Sequence, residues 1–151
     1  MRNFYFIIAV LAISLLYGNS NKLMAQSGQE LVDACSIVAG EDLMYLKDFQ
    51  IKMDAANPGE EPPMTRYSII LSKNTEYQFT VCNSNDYSGE AILQIYDNNR
   101  LLVTNHQVAT GQSFPKVKFK CSQTGTYHIW VSFKEGKQGL AVVLLSFVRK
   151  L

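Results

Sequence analysis

The sequence predicts an all-β fold: an antiparallel β-sandwich of jelly-roll type with about eight strands and one short N-terminal helix. Three observations carry this. From Tyr45 to Val148, apolar residues recur at every second position in short runs. Turn-forming clusters such as Pro58-Gly59, Asp97-Asn98-Asn99-Arg100 and Gly136-Lys137-Gln138-Gly139 separate those runs. A helical period occurs in the mature part only once, near the N-terminus.

That helix is predicted over residues 28–39. Ser27-Gly28-Gln29-Glu30 fits a capping box, in which a hydroxyl and a carboxylate satisfy free amides at the helix start. Leu31, Val32, Ala34, Cys35, Ile37 and Val38 then form a broad apolar face, and Gly40 is a ready stop.

The strands follow in order. In the first, Tyr45, Phe49, Ile51 and Met53 share one side, with Lys47 as the exception, and Asp54 to Met64 is a proline- and glutamate-bearing loop. Tyr67, Ile69 and Leu71 form the inward side of the second strand, and Lys73-Asn74 turns into Tyr77, Phe79 and Val81. Asn83 to Gly89 is a polar loop, and Ala91, Leu93 and Ile95 lie on the next strand. The two asparagines at 98 and 99 tolerate the positive φ of a two-residue hairpin, whose return strand is Leu101 to Thr104. Asn105 to Ser113 is a loop. Phe114 to Cys121 is a strand with Lys116, Lys118 and Lys120 facing water. Gly125 opens the strand carrying Tyr127, Ile129, Val131 and Phe133 inward. Leu140 to Val148 is apolar on both faces, as a central or covered strand would be.

The N-terminus reads as an export signal over residues 1–25. Arg2 is followed by an uncharged apolar run from Phe4 to Tyr17, and Leu23-Met24-Ala25 offers a cleavage site. The run is shorter than the ~20 residues that span a bilayer, so the chain is not expected to cross the membrane. A lipoprotein site at Cys35 is disfavoured by the polar stretches separating it from the apolar run. Residues 26–44 are then the helix and its lead-in, and 45–151 the sandwich. The mature chain has 12 basic and 13 acidic residues and no long run of one sign, which excludes a nucleic-acid footprint.

The three cysteines are Cys35, Cys82 and Cys121. Export to an oxidising compartment predicts one disulfide and one thiol left over. Three pairings are possible. Cys82–Cys121 is expected because each flanks a strand of the same sheet system, a closure worth about 4 kcal/mol. Alternation groups Cys121 with Val117 and Phe119 but Cys82 with Gln78 and Thr80, so this pairing needs a bend after Val81.

Three segments carry a resemblance. Tyr77-Gln78-Phe79-Thr80-Val81, Ala91-Ile92-Leu93-Gln94-Ile95-Tyr96-Asp97-Asn98-Asn99 and Thr124-Gly125-Thr126-Tyr127-His128-Ile129 follow a Y-x-F-x-V strand, an L-x-Y-D strand end and a late G-T-Y. Over residues 66–148 the chain resembles the bacterial pre-peptidase C-terminal domain. That resemblance implies a β-sandwich and a non-catalytic module that serves exported hydrolases in substrate binding or secretion. The motif positions are core and turn residues, so they speak to shape. A weaker likeness is to C-terminal sorting domains that end in strands and a basic tail, as in Arg149-Lys150-Leu151.

Candidate functional residues are few. His106 and His128 are the only histidines, and no Gly-x-Ser-x-Gly or Cys–His motif accompanies them, so catalysis is not expected. Tyr96, His128 and Trp130 point outward by alternation and could form an aromatic ligand platform, provided that neither the helix nor the last strand covers them. Asn83, Asn85, Asp86 and Glu90 could offer oxygens to calcium, but their spacing matches no EF-hand, and no cofactor is expected. The sequence thus points to an exported periplasmic or extracellular binding module for an envelope protein or glycan. A structural or assembly component is the alternative, which an exposed apolar edge along Leu140 to Val148 would favour.

Overall fold

The computed structural model describes residues 22–151. Of the export signal expected over residues 1–25, residues 1–21 lie outside them, and Lys22 to Ala25, with the expected cleavage site, lie within a helix. The chain divides between Glu30 and Leu31, and the sandwich belongs to the Leu31–Leu151 unit. The helix, α1, runs Lys22–Ala39. It therefore starts earlier than predicted, with Ser27 inside it rather than capping it, because Lys22 to Gln26 contains only residues that a helix accommodates well. Gly40 ends it at φ 118°, a conformation that residues with a Cβ avoid.

Ten strands follow: β1 Met44–Met53, β2 Met64–Leu71, β3 Thr75–Asn83, β4 Ala91–Asp97, β5 Arg100–Thr104, β6 His106–Gln107, β7 Gln112–Ser113, β8 Lys116–Cys121, β9 Gly125–Phe133 and β10 Gly139–Lys150. Two antiparallel sheets have the orders β1-β10-β3-β8 and β2-β9-β4-β5, and β6 and β7 pair separately as a small hairpin. The last long strand lies between the first and third, and the next-to-last between the second and fourth, which is the jelly-roll arrangement. The expected all-β sandwich is present. The loop expected at Asn105 to Ser113 contains the β6–β7 hairpin. The fully buried Asn105 anchors that hairpin by accepting from the Leu93 amide at 2.7 Å and donating to the Ala91 carbonyl at 3.1 Å.

The core lies between the sheets. Phe49, Ile51, Phe79, Leu93, Ile95, Ile129, Val131 and Val143 are among its buried members. β1 carries a bulge between Tyr45 and Lys47, so the alternation slips there and Tyr45, expected inward, is exposed; Lys47 keeps the side of Phe49 and lays its ammonium 5.3 Å from that ring. Gly139 sits against the Phe133 ring, which leaves no room for a Cβ.

A second, smaller core forms on the far side of β10. Val32, Cys35 and Ala39 pack on Val142 and Leu144, with Leu31 and Cys82 alongside. β10 is thus apolar on both faces because α1 covers one of them. The buried face of the helix is narrower than the sequence pattern implied, and Ile37 is 78% exposed. Gln78 lies under the helix end and donates to the Ala39 carbonyl at 3.0 Å and to Thr80 Oγ1 at 3.1 Å. A carbonyl left free by the helix terminus is thereby satisfied in a place that water does not reach.

The cysteine pairing differs from expectation. Cys82 bonds to Cys35, with Cα atoms 5.7 Å apart, and Cys121 is a buried free thiol. No bend follows Val81: β3 stays in register with β10 through Val81, Cys82 and Asn83. Cys82 and Cys121 therefore lie on opposite faces of one sheet. Cys82 faces the helix with Gln78 and Thr80, while Cys121 belongs to the main core.

Candidate functional site: the outer face of the second sheet

The sheet β2-β9-β4-β5 buries Tyr127, Ile129, Val131 and Phe133 of β9, so His128, Trp130 and Ser132 project the other way. Register then assembles rows across the sheet. Arg66, Trp130, Gln94 and Thr104 form one row; Ser68, His128, Tyr96 and Leu101 form the next. Met64, Ser132 and Ile92 lie on one flank, and Ile70 with Thr126 on the other.

Of the three residues expected to form a platform, Tyr96 and Trp130 have rings in contact, and His128 is the register partner of Tyr96 on the same face. The rings of Tyr96 and Trp130 are 4.3 Å apart between centroids and tilted by 31°. The Arg66 guanidinium lies 4.4 Å from the Trp130 ring centre. β9 runs between β2 and β4, so Arg66 and Tyr96 approach the indole from opposite sides. Each ring contact of this kind is worth roughly 0.5–1.5 kcal/mol and also fixes the rotamers involved. His128 Nδ1 is 3.0 Å from Ser68 Oγ. Arg66 is the residue that sequence reading missed. Its approach to Trp130 depends on strand register, which alternation does not reveal.

This face is uncovered within the Leu31–Leu151 unit. The packed part of α1 lies on β10, in the other sheet, and no helix or strand packs across the outer side of β9. Ile70 is 77% exposed, and Met64 and Leu101 are exposed as well. None of the outward residues in these rows is acidic, and no carboxylate pairs with Arg66 among the described residues. The surface therefore mixes aromatic, apolar and uncharged polar side chains around one arginine.

Other candidates are placed differently. His106 Nδ1 contacts Ser113 Oγ at 2.9 Å and closes the β6–β7 hairpin. Asn83 Oδ1 accepts from the Ala91 amide at 2.8 Å, and the Glu90 carboxylate lies 3.9 Å from Lys134 Nζ. Among the described residues no group of three or more His, Cys, Asp or Glu could hold a metal ion. The Ser68–His128 contact supplies two members of a nucleophile–base pair. It uses Nδ1, the nitrogen that a triad reserves for its orienting acid.

Tyr127 shows how tightly the sheet packs beneath. Burial, reinforced by contact with Cys121, pushes its hydroxyl up to about 12. That hydroxyl donates to the Gln123 carbonyl at 2.7 Å.

No family model matches the chain, and no curated protein matches it. Among solved structures, the chain is similar to Aeromonas hydrophila PliG, a periplasmic lysozyme inhibitor of g-type lysozyme. The match has a TM-score of 0.51 at 9% identity and covers 70% of this chain and 88% of that one. The likeness is one of fold. Among the described residues, no helix is long and apolar enough to cross a membrane.

Proposed function

We propose that this chain is an exported, non-catalytic module that binds a protein partner through the outer face of β2-β9-β4-β5. The observation that carries the reading is the Arg66–Trp130–Tyr96 cluster at the centre of a sheet face that nothing in the Leu31–Leu151 unit covers. Trp, Tyr and Arg dominate the energetic centres of protein interfaces, and Met is also enriched there. The stack holds them in place before a partner arrives, which lowers the ordering cost of binding.

The same geometry favours protein over glycan on this face. Stacking on a sugar needs a free aromatic face, and the indole is already engaged by the Tyr96 ring and the Arg66 guanidinium. The fold shared with a periplasmic protein inhibitor adds support for export and for a binding role rather than catalysis. So does the Cys35–Cys82 disulfide, which suits an oxidising compartment. The assembly alternative rested on an exposed edge along Leu140 to Val148. β10 is instead paired on both sides, so that motive for self-association is missing.

The test is capture by the immobilised protein, offered purified g-type lysozyme and, in parallel, an envelope extract. Wild type is expected to retain a protein that Trp130→Ala releases. Retention that Trp130→Ala and Arg66→Glu both leave unchanged would move the site elsewhere. Retention of peptidoglycan or polysaccharide alone would replace the protein partner by a glycan.

A further inference from the structure

Each main sheet of the sandwich ends in two edge strands, β1 and β8 in one and β2 and β5 in the other. An edge strand presents unpaired backbone groups to any further strand, and proteins guard such edges with lysines, bulges or shortness. Three of these edges are guarded. β8 carries the exposed Lys116, Lys118 and Lys120. β1 carries Lys47 and Lys52 and is bulged between Tyr45 and Lys47. β5 is only five residues long and is bulged against β4.

β2 has none of these guards. Its eight residues pair with β9 from Met64–Ser132 to Leu71–Gly125 without a register shift. It contains no lysine, carboxylate, glycine or proline. Its one charge, Arg66, lies on the sheet face, 4.4 Å from the Trp130 ring centre. Met64, Arg66, Ser68 and Ile70 are exposed, and nothing in the Leu31–Leu151 unit pairs with the free side of the strand.

The hydrogen bonds of β4 show which backbone groups of β2 are free. The Leu93 amide donates to Asn105 Oδ1, and the Leu93 carbonyl accepts from the Asn105 amide, so both point away from β9. Along an antiparallel strand, successive residues bond alternately to one neighbour and to the other. Ile92 and Gln94 therefore bond β9, at Ser132 and Trp130. Tyr127, Ile129 and Val131 then bond β2, at Ile69, Tyr67 and Thr65. Met64, Arg66, Ser68 and Ile70 are left with amides and carbonyls directed outward from the sheet.

We infer that β2 pairs antiparallel with β2 of a second copy of this chain, about a twofold axis at Tyr67. The strand is self-complementary in that register. Met64 lies opposite Ile70 of the second copy, and Arg66 opposite Ser68 of the second copy. All the outward residues are matched, with about eight backbone hydrogen bonds in total. Sliding by one pair in one direction sets arginine against arginine, and like charges directly opposite are destabilising. Sliding in the other direction leaves Met64 with no partner in the strand. The pairing joins two four-stranded sheets into one. It also carries the His128–Ser68 row directly into Arg66 and Trp130 of the second copy, so the two open faces become continuous. The pairing uses the strand edge and not the aromatic face, so it stands or falls apart from partner capture at Trp130.

The experiment is sedimentation of the purified protein over a concentration series, with amide hydrogen exchange measured at both ends of it. One strand pair is a small interface, so a reversible dimer in the micromolar-to-millimolar range is expected. The amides of Arg66 and Ser68 should be protected in the dimer and exchange freely in the monomer, whereas those of Tyr67 and Ile69 stay protected in both. Met64→Lys with Ile70→Lys sets lysine opposite lysine at both ends of the pair and should weaken the dimer about tenfold. Met64→Glu with Ile70→Lys sets opposite charges at the same places and should restore it. A protein that stays monomeric up to about 1 mM would overturn the inference. So would a dimer that leaves the Arg66 and Ser68 amides unprotected, or one on which the two double variants act alike.

Discussion

On the outer side of β10, Val142 and Leu144 lie beneath Val32, Cys35 and Ala39. On the outer side of β9, His128, Trp130 and Ser132 are only half-buried, beside exposed residues of β2 and β5. Both strands sit in the interior of a four-stranded sheet, and both send their alternate residues into the same core. The first outer face is closed by the helix and by a disulfide from it to β3. Polar residues caught beneath, such as Gln78 and Thr80, find partners within the protein. The second carries a large aromatic pair and an arginine with no covering layer within the Leu31–Leu151 unit. Burying the first face stabilises the fold. Leaving the second open does not, and a sheet has no structural need for a central tryptophan flanked by a cation and a phenol. The contrast separates residues kept for folding from residues available for binding.

Substitutions can break that contrast or sharpen it. The largest effect is expected from Cys35→Ser with Cys82→Ser. Opening a closure of sequence separation 47 should cost about 4 kcal/mol in urea denaturation, and peptide mapping of the native protein should return the Cys35–Cys82 pair. Next comes Leu144→Ala, which leaves a cavity under the helix and should cost about 2–5 kcal/mol. Trp130→Ala should cost less, about 1–2 kcal/mol from its two ring contacts. A larger loss at 130 than at 144 would mean that the open face is structural after all.

The smallest effect concerns Glu76. Arg149 holds its carboxyl below the ordinary value of 4.5. The stability it contributes is therefore full above that value and is lost as pH falls through the lowered one. Arg149 is largely exposed, which keeps the effect modest. Glu76→Gln should flatten the melting temperature between neutral and acid pH and leave binding at Trp130 untouched.

Much of the fold was legible because strand alternation reports burial directly. The inward sets on β2, β3, β4 and β9 emerge from period two alone, and β10 betrayed its covering helix by being apolar on both sides. The helix pattern overstated its buried face, since Ile37 and Val38 are exposed. Cysteine pairing failed where parity was overridden: the parity of Cys82 with Gln78 and Thr80 already placed it away from Cys121. The platform was half legible. Alternation turned Tyr96, His128 and Trp130 outward, but only register brought Arg66 to the indole and Ser68 to His128. The β5 bulge that packs Leu102 as well as Val103 against the core left no mark in the sequence.

The most direct test pairs two variants and measures each twice. Leu144→Ala and Trp130→Ala are compared by melting and by affinity for the protein that wild type captures. The expectation is that Leu144→Ala melts much lower yet binds as wild type does, while Trp130→Ala stays close to wild type in melting and binds at least about tenfold more weakly. Undiminished binding by a folded Trp130→Ala protein would contradict the assignment of the open face as the binding surface.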